Sequence, residues 1–129
     1  MNNCNTRLIA KLEIKSNNVV KPVHFEGLRK VGKPISLANK YYIEGADEII
    51  YIDIVASLYQ RDISYDQIKR ASKDIFIPLT VGGGVRSVEH YHKLFKAGAD
   101  KVCINTFALQ EQPEIINDAS KIFGAQAVV

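Results

Sequence analysis

The chain has 129 residues, 47% of them apolar and 24% charged, enough for one compact core and too apolar for wholesale disorder. Its 17 basic and 14 acidic residues leave a formal charge of +3, too mild and too scattered to point to nucleic acid. No apolar run approaches the ~20 residues of a membrane span. With polar residues at 1–5, no leader segment is expected. Two cysteines, Cys4 and Cys103, do not make a disulfide framework, so a reducing cytoplasm is expected.

In chain order, short Ile- and Val-rich runs alternate with helix-like stretches. The runs are 8–14, 48–54, 75–81, 101–104 and 125–129. They lack strict period-two alternation, which predicts strands buried on both faces, as in a parallel sheet. Helices are predicted over 34–44, 65–73, 87–97 and 113–123. Pro34 and Pro113 stand at helix starts. Ser87 is an N-cap ahead of Val88, Tyr91, Leu94 and Phe95, which share one face. Three helices are followed by similar triplets, Gly45-Ala46-Asp47, Gly98-Ala99-Asp100 and Gly124-Ala125-Gln126. In each, glycine is expected to supply the left-handed residue of a C-cap. The stretches 15–32 and 56–64 look least regular. The order β-α-β-α-β-α-β-α-β fits two architectures. One is an open doubly wound sheet of five strands, which the length favours. The other is part of a (β/α)₈ barrel, which normally needs ~250 residues.

In both, chemistry collects at the C-terminal ends of the strands. Those ends carry Glu13, Asp53, Gly82-Gly83-Gly84 and Asn105-Thr106. Polar residues follow any strand, so position alone is weak. Three glycines before a capped helix are sharper, because they let backbone N–H groups approach an anion closely. The spacing matches neither a Walker loop nor a dinucleotide fingerprint. A tight βα turn is the plainer explanation. Glu13 and Asp53 are candidate general acid–base groups or solvated caps. Lys21, in an irregular stretch, is a phosphate clamp or a surface lysine. His90 and His92 lie two apart on a helix and do not face one site. His24 stands alone, and Cys103 reads as a core residue. Neither metal nor cofactor is implied.

These segments resemble the cyclase subunit of imidazole glycerol phosphate synthase. Val19-Val20-Lys21 and Phe25-Glu26-Gly27-Leu28-Arg29 are similar to the loop after its first strand. Ile52-Asp53-Ile54-Val55-Ala56-Ser57 is similar to its second-strand motif, Leu-Asp-Ile-Thr-Ala-Ser. The segment from Pro78 to Ser87, with its three glycines, resembles the third, and Gly98-Ala99-Asp100-Lys101-Val102 through Asn105-Thr106 the fourth. The triple-glycine segment alone also fits the sister isomerase of histidine synthesis. The Asp-Ile-x-Ala-Ser segment favours the cyclase.

The resemblance implies a (β/α)₈ barrel that takes ammonia from a partner glutaminase and closes an imidazole ring on a bis-phosphorylated ribulosyl substrate. It implies that Gly83, Gly84, Asn105 and Thr106 hold a phosphate and that Lys21 lies on a closing loop. Arg7, Glu48 and Lys101 match charged residues around the ammonia entrance, and Asp100 falls at the glutaminase interface. Glu13 replaces the family's first-strand catalytic Asp, and Val55 replaces a threonine. A relative acting in amidation of surface-polysaccharide sugars is therefore an alternative. The match ends inside the family's fifth strand. The expectation is a single 1–129 domain, a (β/α)4 half-barrel completed by homo-oligomerisation. Its activity is expected to be weak, or limited to phosphate binding.

Overall fold

The computed structural model describes residues 5–24, 27–59 and 61–129. Cys4 and the Phe25-Glu26 part of the resemblance lie outside the described residues. Six strands form one sheet. β1 (Ile9–Lys15), β4 (Glu48–Asp53), β5 (Leu79–Gly82) and β6 (Lys101–Cys103) are parallel neighbours in that order. β2 (Asn18–Val23) and β3 (Gly27–Gly32) extend the sheet beside β1 as an antiparallel hairpin. The helices are α1 (Pro34–Ile43), α2 (Tyr65–Asp74), α3 (Val88–Ala97), the short α4 (Thr106–Gln110) and α5 (Glu114–Phe123). None of them is long and apolar enough to cross a membrane.

The core forms where a pleated strand puts alternate side chains on one face. Parallel pairing aligns Leu12, Tyr51, Val81 and Val102 as one row across β1, β4, β5 and β6. Each is at most 2% exposed. Tyr91 and Leu94 of α3, Ile68 of α2 and Ile115 of α5 belong to the same cluster. The opposite face carries Lys11 and Glu13 of β1, Ile50 and Ile52 of β4, and Cys103 of β6. Among the described residues that face stays open: Lys11 is exposed and Glu13, Ile50, Ile52 and Cys103 are half-buried.

The Gly-Ala-Asp triplets have a structural reason. The Asp47 N–H donates to the Leu8 carbonyl, and the Asp47 carboxylate accepts the Leu8 N–H. Asp100 makes the same reciprocal pair with Leu79. Each triplet therefore clasps a new strand to the start of the strand beside it. Gly98 takes the left-handed cap conformation, with φ +114°. The third triplet departs. Gly124 has φ +90° but ψ 146°, outside the left-handed helical region, and Gln126 offers no carboxylate for a clasp.

Three expectations need correction. The sheet is not wholly parallel, because the stretch expected to be irregular holds the β2–β3 hairpin. Its Lys21, Arg29 and Lys30 are all exposed, so it carries no apolar stripe to betray a strand. The predicted strand over 75–81 shrinks to Leu79–Gly82. Ile75 closes α2, and Pro78 lacks the N–H that a ladder needs. The run 125–129 opens as a single turn of 3₁₀ helix over Ala125–Ala127. It joins the sheet only through Val128 and Val129, beside Val102 and Ile104.

Candidate functional site

β5 ends in the triple glycine. Gly83 and Gly84 have φ of +109° and +68°, which L-residues with side chains rarely adopt. The turn also lies against the end of β4. A Cβ on Gly83 would sit 2.3 Å from the Asp53 carbonyl oxygen, and one on Gly84 2.7 Å from that of Arg61. The glycines therefore serve packing as well as any anion. Beyond β6, Asn105 caps α4 with no hydrogen bond from its side chain, and Thr106 follows it. Gly83, Gly84, Asn105 and Thr106 share one cavity of about 620 Å³ with Lys11 and Cys103.

The four expected phosphate residues thus come together. Of the two expected catalytic carboxylates, Asp53 lines that cavity and Glu13 does not. Glu13 pairs in register with Ile52, on the open face. Its carboxylate is 2.9 Å from Lys11 Nζ, and both side chains remain part-exposed. Asp53 pairs in register with the buried Ile14, so the pleat alternates it with Glu13 while the residue still borders the cavity at the strand end. It is 5% exposed. Its Oδ1 accepts the N–H groups of Val55 and Ala56, at 3.0 and 2.9 Å. The Arg61 guanidinium donates to Oδ1 at 3.1 Å and lies 2.9 Å from Oδ2. Asp53 organises the β4–α2 loop in this arrangement.

At the opposite ends of the strands, Glu48 is buried between two cations. Arg7 donates to one carboxylate oxygen and Lys101 Nζ lies 3.3 Å from the other. The three expected entrance residues form one cluster, and Asp100 sits next to it as a clasp. Lys21 lies exposed on β2, opposite Arg29, and does not line the cavity.

Four residues escaped sequence reading. Lys11 was legible in principle, because it stands two before Glu13 and so shares its face. Arg61 had no signal, since it lies in an irregular loop. Arg86 lines the cavity just after the glycines and donates to Asp62 at 2.9 Å. Cys103 is not a core residue but half-buried on the open face. Burial pushes its thiol up, against the opposing pull of the Lys11 charge, so it stays protonated and poorly nucleophilic at neutral pH. The two histidines face different partners. His90 Nδ1 accepts the Arg86 N–H, and His92 packs edge-on against Phe123.

The family described as "Histidine biosynthesis protein" matches residues 7–129. An "Imidazole glycerol phosphate synthase subunit HisF" from Legionella pneumophila is 52% identical over 125 residues, covering 97% of this chain and 58% of that protein. Proteins of the same description from Methanocaldococcus jannaschii and Methanococcus maripaludis strain C5 are 50% and 49% identical. Each alignment covers 95% of this chain and 45% of the relative. The chain thus spans about half the length of the curated relatives it matches.

Proposed function

The chain belongs to the histidine biosynthesis protein family, and from that premise we propose that it carries the phosphosugar-binding part of an ammonia-dependent cyclase. The observation that carries the reading is the shared cavity. A turn of glycines at positive φ and the Asn105-Thr106 pair meet there, beside the open face on which Glu13 stands. Backbone N–H groups, an amide and a hydroxyl suit a phosphate of a ribulosyl-type substrate. Glu13 is the proton carrier of the site. Asp53, which lines the cavity and is held by Arg61, would share that role while also shaping the loop. The Arg7–Glu48–Lys101 cluster would surround the point where ammonia enters from a glutaminase partner, and the hairpin bearing Lys21 would fold over the substrate. The work would take place in the cytoplasm.

The open face supports a (β/α)4 half-barrel reading, closed by a second copy of the chain. Among the described residues, Ile9 to Glu13 of β1 have strand neighbours only on the β4 side. Leu8 and Ile9 are exposed beside that bare edge.

The test is ammonia-dependent turnover of a bis-phosphorylated ribulosyl substrate by the wild type and by Glu13→Gln. The expected loss is about a hundredfold or more, the usual share of a general acid–base group. Equal rates would remove Glu13 from the mechanism. A second reading, phosphate binding without turnover, is favoured by the engagement of Asp53. It predicts no rate in either protein and undiminished phosphate uptake in both.

A further inference from the structure

We propose that Arg61 is a positioning residue for the glycine turn, acting through Asp53 to set how tightly that turn holds an anion. The inference rests on the phosphate reading of the cavity. Arg61 does not itself line that cavity, so it acts on an anion there through Asp53 or through its charge at a distance, not by contact.

The relay has two links. First, the ion pair fixes a loop. Asp53 Oδ1 gathers the N–H groups of Val55 and Ala56, and Arg61 closes the ring by bonding the same carboxylate. The Arg61 N–H returns to the Ala56 carbonyl at 3.0 Å. The segment between them is therefore pinned at both ends. Second, the glycine turn rests on that segment. The space where a Gly83 side chain would begin is taken by the Asp53 backbone. The corresponding space at Gly84 is taken by the Arg61 carbonyl and the Ala56 methyl. A shift of a few tenths of an ångström in the loop must move the turn. Donors that converge on one anion tolerate little movement.

The charge of the pair separates this from simple attraction. Removing Arg61 lowers the net charge by one, and Asp53→Asn raises it by one. Asp53→Asn also keeps an oxygen for the Val55 and Ala56 N–H groups. If the pair acts by position, both substitutions weaken anion binding. If only charge matters, they act in opposite directions.

The experiment is calorimetric titration of the full chain with inorganic phosphate. The variants are Arg61→Met, Arg61→Lys, Asp53→Asn and the Arg61→Met/Asp53→Asn pair. We expect about tenfold weaker binding in Arg61→Met and in Asp53→Asn, of the size seen for networked residues. The double variant should be no worse than either single, since one interaction is lost once. Arg61→Lys should recover part of the affinity, because an ammonium keeps the charge but not the guanidinium geometry. The Gly83 and Gly84 amide resonances should shift in the phosphate-free variants while those of the Arg7–Glu48–Lys101 end stay in place. Unchanged affinity and unmoved glycine resonances in Arg61→Met would overturn the inference alone, as would tighter binding in Asp53→Asn. A wild type that takes up no phosphate would overturn the phosphate reading and this inference together.

Discussion

Gly83 shows how one residue serves two demands. Its φ of +109° and the 2.3 Å approach of the Asp53 oxygen to a would-be Cβ leave no room for any side chain. Gly83→Ala is expected to cost about 3 kcal/mol or more, combining a disfavoured backbone with displacement of the β4 end. Gly27 supplies the control. Nothing lies within 4 Å of its would-be Cβ, so Gly27→Ala should leave the urea midpoint nearly unchanged. Equal midpoints for the two variants would mean that the glycine turn yields without strain. The triple glycine was legible as a special turn. Its packing role was not, because residues 30 positions apart touch only once β4 and β5 lie side by side.

At the scale of elements, α3 and α5 are joined to each other by an aromatic cluster. Tyr91 stacks on Phe123 at 5.8 Å, and Phe95 lies 4.9 Å from the same ring. The Tyr91 side chain is fully buried and its hydroxyl has no partner among the described residues. Burial, with Cys103 nearby, raises the phenol to about 12. The folded value therefore lies above the ordinary value of about 10. The resulting stabilisation is complete below pH 10. It is lost as pH climbs towards 12, because the unfolded chain sheds the proton first. Urea midpoints should fall over that window, by up to about 1.4 kcal/mol per pH unit from this group. Tyr91→Phe should flatten the fall without loss at neutral pH, since no hydrogen bond is given up. A slope identical to that of the wild type would contradict this. The apolar face of α3 and the Ser87 cap were legible from spacing, and Ser87 does accept the His90 N–H. The β2–β3 hairpin was hidden by its charged surface. The face assignment of Asp53 was hidden too. A one-residue step along a strand flips a side chain across the sheet, and the mostly apolar run Ile49 to Ile54 gives no alternation in sequence from which to read the step.

For the whole molecule, the open face is the feature that asks for a partner. Leu8 is 67% exposed at the bare edge of β1, and the Lys11–Glu13 pair stands beside it on the uncovered side. An unpaired edge next to an apolar patch is a template for strand addition. Light scattering over a micromolar series should show a dimer whose population rises with concentration. Leu8→Lys should shift that population towards monomer, and a mass independent of concentration at the monomer value would refute closure by a second copy. The alternation of strands and helices was legible from sequence as far as the mostly parallel sheet.

The paired clasps at Asp47 and Asp100 carry a consequence for that encounter. Each hydrogen-bonds a new strand to its neighbour using only groups of this chain. The strands are thus locked in alignment before anything meets the open face. A second copy docking there would find a surface already in its final shape and forfeit little conformational freedom in settling. Recognition then resembles the fitting of two rigid bodies, with an arrival rate governed by collision and orientation rather than by refolding.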